Sequence, residues 1–127
     1  MNQVVISLGS NINPERNIEQ ALTILNDRFR FSNSSTFLQT KPIGYTNQND
    51  FINGTVLLKT DLDQNQLTAS LKDIEKELGR KRSAIKFGPR TIDLDITVFN
   101  GKITDNDFYE RDFVKNAVLE LIPNLEY

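Results

Sequence analysis

The chain reads as strand, helix, strand, strand, helix, strand, which predicts an α+β fold of ferredoxin-like βαββαβ order. Such a fold is a mostly antiparallel four-stranded sheet with helices on one face. Three observations predict it. Residues 91–99 alternate apolar and polar as a half-buried strand does. Two stretches, 14–28 and the run from Leu67 to Leu78, repeat apolar residues at helical spacing. Three more short runs of strand character complete the order. At 127 residues, with no internal repeat or low-complexity linker, the whole of 1–127 is expected to be a single domain.

Gln3 to Leu8 is an apolar run of strand type, stopped by Gly9-Ser10-Asn11, which reads as a turn. Asn13 is placed to cap a helix over residues 14–28, with Pro14 at its first position and Ile18, Ala21, Leu22 and Leu25 on its core face. Phe31 to Gln39 reads as a second, serine-rich strand. The loop Thr40 to Asp50 is rich in turn formers and near the length at which loops tend to be functional. Phe51 to Leu58 is a third strand, interrupted by Asn53 and Gly54; a buried Asn there needs partners or a ligand. Asp61 or Asp63 caps the second helix, whose core face is Leu67, Leu71, Ile74 and Leu78, and Gly79 stops it. In the last strand Ile92, Leu94, Ile96 and Val98 share one face; Thr91, Asp93, Asp95 and Thr97 share the other. The tail holds a short helix around Val114 to Leu121, ended by Pro123.

Composition narrows the chemistry. Hydrophobic residues make up 38% and charged residues 25%, which is ordinary for a soluble globular protein. A net charge of −2 and a pI near 5.1 argue against a nucleic-acid partner. Without cysteine or histidine, catalysis must run on carboxylates, lysine, arginine, hydroxyls or metal-bound water. No apolar run approaches the ~18 residues that span a membrane, so the expectation is a cytoplasmic protein with no membrane partner.

Within that frame, residues 80–96 stand out. Asp93 and Asp95 lie on one strand face with their Cα atoms ~7 Å apart, close enough to repel unless a cation sits between them. Oxygen-only ligands favour magnesium. Just upstream, Arg80, Lys81, Arg82, Lys86 and Arg90 place five cations within eleven residues, with Gly88-Pro89 forcing a turn. Carboxylate-held magnesium beside converging arginines is the composition of a polyphosphate site.

Several motifs resemble 6-hydroxymethyl-7,8-dihydropterin pyrophosphokinases. They are SLGSN at 7–11, T-x-P-x-G at 40–44 followed by Gln48 and F-x-N at 51–53, IEKELGRKR at 74–82 and GPRTIDLDI at 88–96. They keep the family's order over about four-fifths of the chain. The resemblance implies magnesium-dependent transfer of a pyrophosphoryl group from ATP, the co-substrate, to the hydroxymethyl oxygen of a reduced pterin in folate biosynthesis, with AMP leaving. It implies two magnesium ions on Asp93 and Asp95. It further implies ATP contacts from Lys72, Glu75, Arg80, Arg82, Arg90, Ile96 and Arg111, and catalytic roles for Arg80, Arg82 and Asp95. The pterin pocket would be Thr40, Ile43, Phe51, Asn53, Phe87 and Phe113. The protein is expected to be a monomer that takes only these small molecules as partners.

The match thins after Phe99. The family continues there with a histidine-containing segment on the nucleotide side, which NGKITDNDFYERDFV lacks. Tyr109 is the residue expected to stand in for the lost contacts. Two other readings stay open on the sequence. One is a diverged paralogue with another hydroxylated acceptor or poor turnover; the other is a non-catalytic ligand-binding module on the same fold.

Overall fold

The structure, a computed structural model, describes residues 1–79 and 90–127. Its elements are β1 (Asn2–Ser10), α1 (Pro14–Arg28), β2 (Arg30–Ser34), β3 (Leu38–Thr40), β4 (Phe51–Thr60) and α2 (Gln64–Glu77), followed by β5 (Asp93–Phe99), β6 (Lys102–Ile103), α3 (Asp107–Glu110) and α4 (Asp112–Leu121). The strands lie in the order β2-β4-β1-β5-β6, with β3 also on β4, and every pairing is antiparallel. The α+β class and the ferredoxin-like order of the central strands are as expected.

Three features differ from the four-stranded, one-faced sheet that the sequence predicts. First, the stretch Phe31 to Gln39 is two short strands laid end to end along β4. Ser35, between them, is buried, and its backbone and side chain both bond Thr55 at 2.8 Å. This turn of the chain sets the Phe37 ring against Gly54, where a Cβ would stand 2.5 Å from the ring. Second, β6 extends the sheet by a hairpin through Asn100 (φ 49°) and Gly101 (φ 80°), the positive-φ pair of a tight two-residue turn. With it, the described sheet has six strands rather than four. Third, helices cover both faces.

The two faces are separate cores. Val4, Ile6, Leu8, Val56, Leu58, Leu94 and Ile96 pack under α1 and α2 with Ile18, Leu25, Leu67, Leu71 and Ile74. Val5 and Val98 pack on the opposite side with Phe108, Val114 and Val118 of α3 and α4. Val98 therefore leaves the face it was expected to share with Ile96. The cause is a bulge: Val5 pairs with Val98 but Ile6 pairs with Ile96, so Thr97 is the extra residue on β5. Thr97 is fully buried, not on a solvent face with the aspartates, and its carbonyl accepts from Thr104 N–H at 2.9 Å.

The helix ends follow local chemistry. In α2 the Asp63 carboxylate accepts from Gln66 N–H at 2.8 Å, and the Gln66 side chain accepts from Asp63 N–H at 3.0 Å. That reciprocal box settles Asp63 over Asp61 as the cap. Asn13 precedes α1 at φ 41° but makes no side-chain cap bond. Arg28 and Glu77 tie the ends of α1 and α2 with two 2.7 Å bonds. Among the described residues no helix is long and apolar enough to cross a membrane.

Candidate active site

The bulge also decides what flanks the carboxylates. β6 pairs only with Val98 and Phe99, so among the described residues no strand lies on that side of β5 from Asp93 to Ile96, where side chains of Glu75 and Thr104 bond the Leu94 N–H and the Ile96 carbonyl. Asp93 and Asp95 face the α3/α4 side, next to Gly9 and Ser7 of β1. Two clefts open at this edge. The first is lined by Ser7, Gly9, Thr40, Lys41, Ile43, Phe51, Asn53, Thr55, Arg90, Asp93, Asp95, Asp107, Arg111 and Phe113. The second lies against α2 and is lined by Thr68, Lys72, Glu75, Asp93, Asp95, Ile96, Thr104 and Asp105. Asp93 and Asp95 belong to both.

The expected residues thus divide between two neighbouring spaces. Thr40, Ile43, Phe51, Asn53 and Phe113 come together in the first; Lys72, Glu75 and Ile96 come together in the second. Arg90 and Arg111, expected beside the nucleotide, line the first cleft. Arg80, Arg82 and Phe87 lie outside the described residues. Tyr109 lines neither cleft: it is 60% exposed, and its ring meets the edge of Phe108.

Several side chains are held in place by the framework. Asn53 donates from Nδ2 to the Thr40 hydroxyl, which aims its oxygen over Gly9. A Cβ on Gly9 would stand 2.7 Å from that oxygen, so any larger residue there would have to push the Asn53 amide aside. Glu75 is buried, and its Oε2 accepts from Leu94 N–H at 2.8 Å, using a carboxylate to satisfy the unpaired edge of β5. Arg111 Nε lies 3.5 Å from Asp107 Oδ1, one helical turn back.

Sequence reasoning missed Asp105 and Asp107, although their Asp-x-Asp spacing repeats that of the strand pair. It also read Asn11 as part of a turn, whereas Asn11 is 2% exposed and bonds both the 40–50 loop and Arg90.

The electrostatics suit a cation. The Asp95 carboxyl is pushed from 3.8 up to about 7, first by its enclosure in the cleft and then by the charges of Asp93, Asp105 and Glu75. Asp107 is raised too, by burial and by Asp105, with Arg111 opposing. Among the described residues no three or more His, Cys, Asp or Glu side chains come together to hold a metal ion by themselves. Two carboxylates with open positions are the usual magnesium arrangement, in which waters and phosphate oxygens complete the shell. The donor set fits that ion.

The Asp95 shift has a measurable consequence. A carboxyl whose folded value lies above its unfolded one favours the fold below the unfolded value and loses that contribution as pH rises through the folded one. From pH 4 to pH 8 without metal, the wild type should therefore lose melting temperature relative to Asp95→Asn, and added magnesium should shrink the gap. Parallel melting curves across that range would remove this account of the carboxylate.

A family model and three known proteins bear on the site. The family model for 7,8-dihydro-6-hydroxymethylpterin-pyrophosphokinase matches residues 5–123. The chain is 36% identical over 138 residues to the 2-amino-4-hydroxy-6-hydroxymethyldihydropteridine pyrophosphokinase of Bacillus subtilis, covering 99% of this chain and 82% of that one. It is 34% identical over 134 residues to the Aquifex aeolicus protein of the same name, covering 98% and 83%. A folate synthesis bifunctional protein of Arabidopsis thaliana is 35% identical over 131 residues, which cover 94% of this chain but only 27% of that longer protein.

Proposed function

This chain belongs to the 7,8-dihydro-6-hydroxymethylpterin-pyrophosphokinase family and by that membership is a pyrophosphokinase of folate biosynthesis; we propose how its residues carry out the transfer. The acceptor is 6-hydroxymethyl-7,8-dihydropterin and the donor is ATP. The pterin hydroxymethyl oxygen attacks the β-phosphorus, the bond from that phosphorus to the α–β bridging oxygen breaks, and AMP leaves. The hydroxyl proton is released.

The observation that carries this reading is the pair of clefts that share Asp93 and Asp95. One has two aromatic rings to stack a flat heterocycle and an amide to read its polar edge. Phe51 and Phe113 supply the stacking surface; Asn53, held by Thr40, supplies the amide. The other, with Lys72, Glu75 and Ile96, takes the nucleoside. The acceptor oxygen and the β-phosphate then meet at the β5 edge. Two magnesium ions held by Asp93 and Asp95 would supply charge neutralisation for the phosphate oxygens there. Arg90 and Arg111 add positive charge from the first cleft. Phosphoryl transfer through a loose transition state needs alignment and charge neutralisation more than a strong base, which suits a chain with no histidine.

The direct test is AMP release from ATP and magnesium, with and without 6-hydroxymethyl-7,8-dihydropterin. Pterin-dependent AMP without ADP is the expected result. ADP formation, or AMP that ignores the pterin, would overturn the assignment.

The Asn53 geometry adds a prediction. Gly9→Ala should displace the Asn53 amide and cut kcat/KM for the pterin by roughly 10- to 100-fold, the usual effect of a small misplacement near a reacting centre. The KM for ATP should change little. Steady-state kinetics with each substrate varied in turn would check it; equal losses on both would show that Gly9 does not act through Asn53.

A further inference from the structure

Asn11 touches neither cleft, yet its whole amide is in use. Oδ1 accepts from Arg90 N–H at 2.8 Å, and Asn11 N–H donates to Arg90 C=O at 3.1 Å. Side chain and backbone together extend the β1–β5 ladder past Gly9 and Asp93, its last paired residues. The two Nδ2 hydrogens go the other way, to Gln48 Oε1 at 2.8 Å and to Asn49 C=O at 3.0 Å. The orientation of the amide is not free, since Arg90 N–H can only donate and Asn49 C=O can only accept. Gln48 in turn donates to Tyr45 C=O at 2.7 Å, carrying the connection along the loop towards Ile43. Ser10, the residue before Asn11, has its hydroxyl between Thr91 C=O and Ile12 C=O and donates its one proton to the nearer, Thr91.

We infer that Asn11 is a positioning residue that locks the 40–50 loop to the Arg90 backbone and so sets the width of the pterin-side cleft. The loop that brings Thr40 and Ile43 to the cleft is tied at Gln48 and Asn49, through this buried amide, to the backbone of Arg90, which lines the same cleft. A residue that only filled space could be replaced by an isostere. An amide that donates twice on one side and accepts once on the other cannot. This inference rests on the pyrophosphoryl transfer assigned above.

Asn11→Asp separates the two halves of the contact. The carboxylate keeps an acceptor for Arg90 N–H but faces the Asn49 carbonyl and the Gln48 oxygen with lone pairs instead of hydrogens. The expected result is a KM for the pterin raised ~10-fold or more, with the KM for ATP within about threefold of wild type, in line with the cost of a small misplacement. Gln48→Ala removes the other end of the same bond without adding charge and should shift the pterin KM in the same direction. A pterin KM unchanged in both variants would overturn the inference. So would equal shifts for both substrates accompanied by a lower melting temperature, which is the mark of a merely structural residue. Wild-type protein that releases no pterin-dependent AMP would instead overturn the reaction itself. Active wild type with both variants indifferent would overturn only the role of Asn11.

Discussion

Asp95→Ala should lower pyrophosphoryl transfer by ~10³-fold or more, as removal of a charge-clamping group at a transferring phosphate typically does. The same change should leave the fold as stable as before or more so. Asp95 reaches solvent at the edge of β5 and its carboxyl is held in a field of like charges, so the packing of the two cores does not depend on it. Activity and stability would then move in opposite directions, which distinguishes a functional group from a structural one. Single-turnover rates and a thermal melt on the same preparation would decide it. A variant with near-normal turnover would sink the assignment of Asp95 to the metal, and with it the meeting of the substrates at this edge.

Phe108→Ala is expected to cost ~3–5 kcal/mol of folding stability, the range for truncating a buried aromatic. Phe108 is fully buried against Val5, Val98, Val114 and Val118, and the rings of Tyr109 and Tyr127 each approach it edge-on at 5.1 Å. It is the largest fully buried side chain of the second core. Since α3 also carries Asp107 into the first cleft, the loss should reach function as well as stability. Denaturant midpoints would measure the first effect and kinetics with the pterin varied the second. An unchanged midpoint would mean that the second core contributes far less than its burial implies.

How much of this was legible depends on how far apart the interacting residues lie. The central strands, both long helices and the two-carboxylate edge are local patterns, and alternation or helical spacing exposes them. The β5–β6 hairpin is equally local, since Asn100-Gly101 is a strong short-range turn signal. The break between β2 and β3 was not visible, because it depends on Ser35 pairing with Thr55, twenty residues on, and on Phe37 finding Gly54. For the same reason Asn11 looked like a turn residue; its partners lie at Gln48, Asn49 and Arg90. The residues expected in each cleft came from the family resemblance. Only the fold could show that Asp93 and Asp95 border both.

The extra residue at Thr97 has a consequence for how this chain can change length. Upstream of the bulge, β5 gives its even-numbered residues to the α1/α2 core; downstream, Val98 serves the other core. Deleting Thr97 would keep Asp93, Asp95 and every residue of both clefts, yet it would turn Val98 away from Phe108 and leave α4 without its footing on the sheet. The connection from Ile103 to Asp107 joins short elements and carries no such parity, although Thr104 bonds the Thr97 carbonyl and Asp105 lines the second cleft, so the slack lies beyond those two contacts. Insertions and deletions should therefore be absorbed beyond the hairpin and rejected between Asp95 and Phe99. The strand acts as a ruler that cannot be recut, and the segment after it as slack.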